Sequence, residues 1–537
     1  MQIRMPDFTA IYSNKESAQA TGGEVRLGDA RAWCELQGGA LRVRATAQDT
    51  PLMYLRMRWN FEKPIKESVR VFGDEWECCS GEMQWTGIVP TRCMPWVCMI
   101  SNGSDLDRNY AGRRTDCFGV KVRPAAMCFW QVDHAGVTLW MDIRNGGSGV
   151  LLGGRELQVC EVVFGEYENM SAFSAGREFY KGLADGAIFA KNKVYGSNNW
   201  YYAYGKSSQE EIIADATLIG QMCAGLENRP FMVIDDGWQK NPCDGPWDIL
   251  RDTFSDMKAL ADSIRAEGAV PGIWIRFLSD RRKDTPWVTD EMRAGWDDKH
   301  LDPSHPAVLE FIAKQTRTLT QEWGYRLIKH DFSTHDIFGW FGIWRKQQMS
   351  DYGWHFYDRT KTSAEIAMQY YAVIRENAGE DCVIIGCNTI GHLVTGYAHL
   401  NRTGCDTSGT DWEDVRRFGV NTLAFRMLHH RIFYDIDADC VGIMGKIDWE
   451  LNGQWLEALA MSGTPLFVSC KPGVTTQEQN EQLRAAFARG SMQADVMQPL
   501  DWMETCTPRL WLVNGKEVEF DWYPAEGTMS FYPKFEK

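Results

Sequence analysis

The spacing of hydrophobic and polar positions changes near residue 195, and the change divides the chain. Before it, short runs alternate apolar with polar residues: Leu41–Ala45, Val137–Ile143 and Leu157–Phe164. Glycine pairs at 38–39, 146–147 and 153–154 punctuate these runs. Period-two alternation between turn signals predicts an antiparallel β-sandwich over residues 1–190. Beyond it, strand-length apolar runs alternate with helical periodicity. Eight candidate strands fall at 197–204, 231–236, 270–277, 325–332, 382–388, 399–406, 433–440 and 465–469. Ser207–Glu210 reads as a capping box that opens a helix with Ile212, Ile213, Ala216, Ile219 and Met222 on its apolar side. A helix from Asp256 ends at Gly268, and Pro306 starts another that stops before Gly324. Ser363–Asn377 and Trp449–Met461 are two more. The link between the fifth and sixth strands is too short for a full helix. Repeated strand–helix units over residues 191–475 predict a (β/α)8 barrel. The remainder, 476–537, holds a helix-like stretch and two short apolar runs, Arg509–Val513 and Val518–Trp522, flanking the turn signal Asn514-Gly515. A small C-terminal β domain is expected there, which makes the protein multidomain.

Length agrees, since 537 residues exceed what one core usually serves. The net charge of −15 reads as a solvated acidic surface and argues against a nucleic-acid partner, which would call for a basic patch. No apolar run is long enough for a membrane-spanning helix, so no membrane partner is expected. The first residues lack the pattern of a signal peptide. A cytoplasmic location is therefore expected, or a periplasmic or secreted one if a signal was removed. The 16 cysteines are scattered, with no Cys-x-x-Cys, and the adjacent Cys78–Cys79 has no zinc spacing. They read as buried reduced thiols. No His/Cys cluster has metal-ligand spacing, and His429-His430 reads as structural. Neither metal nor cofactor is expected. Most of the 23 tryptophans read as residues of a large core, but Trp faces also stack on the C–H faces of sugars. Trp200, Trp238, Trp274 and Trp412, in or just beyond predicted strands, are candidate sugar walls.

The candidate chemistry lies where strands end. Catalytic groups of a parallel barrel gather at the C-terminal ends of its strands, and several strands here end in carboxylates. Asp331 closes the fourth, two residues past Lys329 and on the same side by period two. A nearby ammonium keeps a carboxylate ionised, as a nucleophile must be. Asp406 closes the sixth, four residues after Arg402. Partial desolvation, with Trp412 close in sequence, would raise its pKa and suit it to donate a proton. Asp411 lies further into the loop and fits a helix cap better. Asp235 and Asp236 end the second strand before Gly237 and could accept paired hydrogen bonds from sugar hydroxyls. Asp435, Asp437 and Asp439 end the seventh and read as structural.

Together these segments resemble the retaining α-galactosidases of glycoside hydrolase family 36, which is related to families 27 and 31. Asp235-Asp236-Gly237-Trp238 resembles the family's double-Asp motif, Lys329-His330-Asp331 its nucleophile motif, and Arg402–Asp406 its acid/base motif. Leu301–Val308 resembles the approach to the fourth strand and Met461–Pro465 the approach to the eighth. The resemblance implies that Asp331 is the nucleophile and Asp406 the acid/base. It implies that Asp235 and Asp236 hold the 4- and 6-hydroxyls, and that Lys329 and Arg402 bind other ring hydroxyls. Cys387 stands where family members often carry a Cys. The sequence then departs from the family, with Asn388-Thr389-Ile390-Gly391 in place of a glycine-rich continuation. A retaining hydrolysis of terminal α-galactosides of oligosaccharides is implied, its two carboxylates about 5–5.5 Å apart. A related α-glycosidase such as an α-N-acetylgalactosaminidase, a galactosyl-transferring transglycosylase, and an inactive carbohydrate-binding protein remain as alternatives. A homo-oligomer is compatible with each.

Overall fold

The computed structural model describes residues 1–78, 83–280, 287–525 and 527–528; Cys79 lies outside them. The N-terminal alternation forms two antiparallel sheets. One has six strands and runs from Ser17–Thr21 through Phe8–Ser13, Leu52–Asn60, Gly136–Asp142 and Met127–Asp133 to Met94–Pro95. The other has seven, with Ala40–Thr46, Leu157–Glu168 and Arg114–Val120 at its centre. Alternation places the core directly. Along Leu52–Asn60, Leu55, Met57 and Trp59 are buried while Arg56 and Arg58 are only partly covered. Trp59 and Trp130 of one sheet meet Phe164 and Phe118 of the other at centroid separations of 5.3 and 6.0 Å. These tryptophans fill the core.

The period change near 195 begins a parallel sheet of nine strands: β1 (Tyr195–Asn198), β2 (Phe231–Ile234), β3 (Val270–Ile275), β4 (Leu327–His330), β5 (Val383–Gly386), β6 (Leu400–Arg402), β7 (Asp435–Asp437), β8 (Cys440–Ile443) and β9 (Leu466–Cys470). Their order is β7-β6-β5-β4-β3-β2-β1-β9-β8, every pair parallel. The apolar runs are uninterrupted because both faces are covered, as in Phe231–Ile234, all four residues buried. The two edge strands, β7 and β8, are successive pieces of one segment. They part at Ala438-Asp439, where Asp439 takes a left-handed φ of 72° and its amide donates to the Asp437 carboxylate at 3.0 Å. The sheet is that of a TIM-like domain.

Helices fill the connections. Gln209–Met222 opens with a capping box formed by Ser208 and Glu211, one residue later than the spacing predicts. Asp256 caps Met257–Ala266, and Thr362 with Glu365 makes a second box before Ser363–Ala378. The short link between β5 and β6 holds only the four-residue helix Gly391–Val394. The first predicted strand, 197–204, stops instead at Asn198. The Asn198 side chain accepts the Trp200 amide at 2.8 Å and turns the chain into a helix over Trp200–Ala203.

After β9, helix Gln477–Gly490 packs on helix Trp449–Met461. A three-stranded antiparallel sheet follows, with Leu510–Val513 and Lys516–Glu519 joined by Asn514-Gly515 at φ 48° and 75°. Two successive positive φ values are what a tight primed hairpin turn requires. Trp502 in this region packs on Phe72, Trp85, Phe173 and Phe425, tying it to both the sandwich and the parallel sheet. The 15 described cysteines are all free thiols. No helix among the described residues is long and apolar enough to cross a membrane.

Candidate active site

The carboxylates expected at strand ends converge beyond the C-terminal edge of the parallel sheet. Asp331 follows β4 and is buried. Its Oδ2 accepts the Trp274 indole N–H at 3.0 Å, and its Oδ1 accepts the Phe332 amide at 2.6 Å and the Asn388 side-chain amide. Burial by itself pushes the Asp331 carboxyl up. The Lys329 ammonium, then the donors from Trp274, Phe332 and Asn388, outweigh it and hold the group below the usual carboxylate range. Asp331 is therefore kept as an ionised acceptor.

Asp406 behaves oppositely. Its Oδ1 accepts from Arg402 at 3.0 Å and its Oδ2 from the Trp200 indole at 3.3 Å. Crowding by surrounding protein pushes its carboxyl up, Arg402 and more weakly Lys329 oppose the rise, and the negative charges of Asp439 and Asp331 add to it. The side chain is still 59% exposed, so water screens these effects and only their direction is used. The tryptophan beside it is Trp200. Trp412, which is nearer in sequence, stacks on Trp522 and donates its indole N–H to the Trp522 carbonyl, so its ring belongs to the C-terminal packing. Asp411 caps the helix that starts at Trp412, accepting the Glu413 amide at 2.9 Å.

The double Asp lies at the end of β2, both residues only 2% exposed. Asp235 Oδ2 accepts from Lys329 at 2.8 Å and from Asn198 at 2.7 Å. Asp236 accepts the Cys243 amide at 2.9 and 3.0 Å, the Cys243 thiol at 3.0 Å, and the Gln239 side-chain amide. A carboxylate has about four lone-pair sites; Asp235, which also accepts the Asp236 amide at 2.9 Å, keeps capacity for one further donor, whereas the contacts on Asp236 already occupy its sites. The turn behind them needs glycine. Gly237 has φ 113°, and a Cβ there would sit 2.5 Å from the Gly205 carbonyl oxygen. Lys329 bridges the two halves of the site, paired with Asp235 and acting electrostatically on Asp331. Burial would lower its pKa, but the negative groups around it, Asp235 foremost, together outweigh that and raise it.

Arg402 is fully enclosed between Asp406, Asp439 and the Cys387 thiol, the last at 3.7 Å from Nη1. Asp439, which reads as structural in the sequence, is thus drawn into the site. It also accepts from the Tyr201 hydroxyl and from the Thr407 amide at 2.9 Å. Its left-handed φ aims it there, one of the strained positions that gather at functional sites. Asn388, also at positive φ (55°), was missed as a site residue too. Its one sequence signal is its place directly after the β5 end. Tyr201, Gln239 and Cys243 carry no spacing signal, because the short helix after β1 and the turn after β2 bring them in, and Asn198 is the last residue of β1. Trp274 reaches Asp331, as its strand position allows. Trp238 does not line a cleft. It is fully buried, packs on Trp247 and Trp323, and donates its N–H to the Trp274 carbonyl at 2.9 Å. Apolar burial outcompetes exposure for a ring at that position.

The fold also gathers a group that no sequence spacing announces. His300, His335 and Asp336 offer ligand atoms within 4.8 Å of one another. The Arg276 guanidinium already pairs with Asp336 at 2.6 and 2.8 Å and reaches His300 Nε2 at 3.2 Å, so a resident cation meets the charge of that carboxylate. His429 and His430 lie behind the site, His429 on Asp74 at 3.0 Å and His430 on the Gly463 carbonyl at 3.1 Å.

No family model matches the chain. Solved structures do resemble it. An α-galactosidase from Thermus thermophilus, in complex with p-nitrophenyl α-D-galactopyranoside, aligns with a TM-score of 0.58 at 17% identity, covering 93% of this chain and 99% of that one. A GH36 α-galactosidase from Geobacillus stearothermophilus aligns at 0.59 and 14% identity, over 95% and 77% of the two chains. An α-galactosidase from Lactobacillus brevis aligns at 0.55 and 13%, over 91% and 73%. At these identities the likeness establishes the fold and leaves the chemistry to be argued from the residues.

Proposed function

We propose that this chain is a retaining, exo-acting α-galactosidase that removes terminal α-galactosyl groups from oligosaccharides. The observation that carries the reading is the unequal setting of two carboxylates beyond β4 and β6: Asp331 is buried against the Trp274 indole and the Asn388 amide and held low by Lys329, while Asp406, paired with Arg402, is pushed high. Pairs of titratable groups driven apart in this way mark an acid and a base. Ionised Asp331 attacks the anomeric carbon while protonated Asp406 gives its proton to the departing oxygen. A covalent galactosyl–Asp331 ester forms, and the leaving sugar departs with a hydroxyl. Water, deprotonated by Asp406, then attacks the same carbon and frees Asp331.

Asp235 and Asp236, buried at the inner end, receive the 4- and 6-hydroxyls of a terminal sugar, and Lys329 and Arg402 donate to other ring hydroxyls. Trp200, Trp274 and the Cys387 thiol complete the walls. The layout that presents this site is a sandwich at 1–190, a (β/α)8 barrel at 191–475 whose seventh strand is the broken β7–β8 segment, and a small β domain at 476–537. The named activities of the structural neighbours support the same reading, as do the raffinose and stachyose complexes of the Geobacillus enzyme.

The test is release of phenol from an aryl α-galactoside, with the aryl α-glucoside and α-N-acetylgalactosaminide run beside it. Galactoside turnover with retention of anomeric configuration is expected. Turnover of another sugar alone would keep the mechanism and overturn the specificity. Asp331→Asn should lower kcat by at least about a thousandfold with the circular dichroism spectrum unchanged; a rate close to wild type would remove Asp331 as nucleophile.

A further inference from the structure

A general acid must touch the glycosidic oxygen, so whatever stands beside Asp406 on its open side meets the leaving group. The Trp200 indole holds Asp406 Oδ2. Against the Trp200 ring lies Tyr204, with a centroid separation of 5.2 Å and planes inclined by 59°. Tyr204 is 48% exposed although it adjoins a crowded site. Trp200 thus links Tyr204 to the Asp406 carboxyl, with its ring against one and its indole N–H on the other. The ring is also held firmly. Tyr204 ends helix Trp200–Ala203 at φ 43°, and the next residue, Gly205, packs its backbone on Gly237 of the double-Asp turn. The Arg251 guanidinium donates to the Gly205 carbonyl. A bulky residue at positive φ is uncommon and persists only where its surroundings over-determine it.

We propose that Tyr204, braced by Trp200, is the platform on which the leaving-group sugar stacks, so that the preferred substrates are α-galactosides whose aglycone is itself a pyranose ring. This rests on the galactosidase reading above. An aromatic face meets the C–H face of a pyranose, and the ring already half-exposed beside the acid loses little entropy in doing so. By microscopic reversibility the same platform receives a sugar acceptor when the galactosyl–enzyme ester is attacked by a sugar hydroxyl instead of water. In that step the acceptor O–H gives its proton to Asp406, its oxygen bonds to the anomeric carbon, and the Asp331–carbon bond breaks.

The experiment compares kcat/KM for an α-galactosyl disaccharide with kcat/KM for α-galactosyl fluoride, whose leaving group neither stacks nor needs a proton. Wild type, Tyr204→Ala and Tyr204→Phe are measured, with thermal melts confirming that each folds. The disaccharide-to-fluoride ratio should fall on the order of tenfold in Tyr204→Ala and stay within about twofold of wild type in Tyr204→Phe, which keeps the ring. Transfer to added sugar acceptors should fall with it. An unchanged ratio in Tyr204→Ala would overturn the platform. A ratio lost equally in Tyr204→Phe would do so too, assigning the effect to the hydroxyl. Wild-type protein inert to the fluoride would instead overturn the galactosidase reading, and the platform with it.

Discussion

At the scale of single residues, the site works by unequal environments for like groups. Asp331 has an ammonium, an indole and two amides around it, and at Asp406 burial and two carboxylates prevail over the Arg402 guanidinium and the Lys329 ammonium. The sign of the pH dependence follows. In the proposed mechanism activity needs Asp331 ionised, so it falls as pH drops through a pKa held below the usual carboxylate range. It needs Asp406 protonated, so it falls again as pH rises through a pKa pushed above that range. Lys329 is the strongest force holding Asp331 down. In Lys329→Ala the acid limb of the kcat/KM profile should move to higher pH by roughly 1 unit, on top of a loss in rate. A limb that stays in place would mean that Trp274 and Asn388 suffice.

At the scale of elements, strand ends deliver the groups and the turns after them aim them. The double Asp depends on Gly237, whose Cβ position is taken by the Gly205 backbone. Gly237→Ala should destabilise by about 1–3 kcal/mol. It should also raise KM for the galactoside about tenfold, because a carboxylate pair moved by a fraction of an ångström no longer meets its hydroxyls. Denaturant titration and steady-state kinetics read the two effects separately, and a variant kinetically like wild type would show that the turn has slack. Much at this scale is legible in the order of residues. The apolar runs at β2 and β5, and the helices opened by Thr362 and Pro306, follow from hydrophobic period and capping chemistry alone. The first strand was overextended because Asn198 diverts the chain through a side-chain hydrogen bond that period two does not encode.

At the scale of the whole molecule, one of the several segments that join the N-terminal region to the parallel-sheet domain leads to the site. Asp74 follows strand Arg70–Gly73 and is buried against Arg426 Nε at 3.1 Å and His429 Nε2 at 3.0 Å. Four residues on, the Cys78 thiol donates to Asn388 Oδ1 at 3.1 Å, and Asn388 in turn donates to Asp331. Burial would raise the Asp74 carboxyl, but Arg426 and His429 outweigh it and bring it down to about 2. A carboxyl lowered on folding contributes stability above its unfolded pKa of about 3.9 and loses it as pH falls through the folded value. Asp74→Ala should cost about 3–5 kcal/mol at neutral pH, since it strips a buried pair of one partner. The gap in melting temperature from wild type should narrow as pH falls from about 4 towards 2. A gap constant with pH would assign the loss to packing.

What the sequence by itself determined is what depends on neighbours along the chain: the period change near 195, the strands that run apolar and end in carboxylates, the helix caps, and the Asn514-Gly515 hairpin. Asp235 and Asp331 could be placed because a strand end is a one-dimensional signal; the sixth strand stops at Arg402 rather than 406, so Asp406 stands in the loop four residues beyond it. Only the tertiary structure decided which of the tryptophans meet the site. Trp200 turns to Asp406 through a helix that replaces the end of a strand. Trp238 and Trp412 are taken by other rings. It also decided that Asp439 and Asn388 belong to the site, since both are aimed by left-handed backbone, and that Cys78 stands behind Asn388 from some 310 residues away. Contacts of that separation arise from packing between layers, where burial and hydrogen-bond satisfaction are settled jointly for distant segments and leave no local pattern to read.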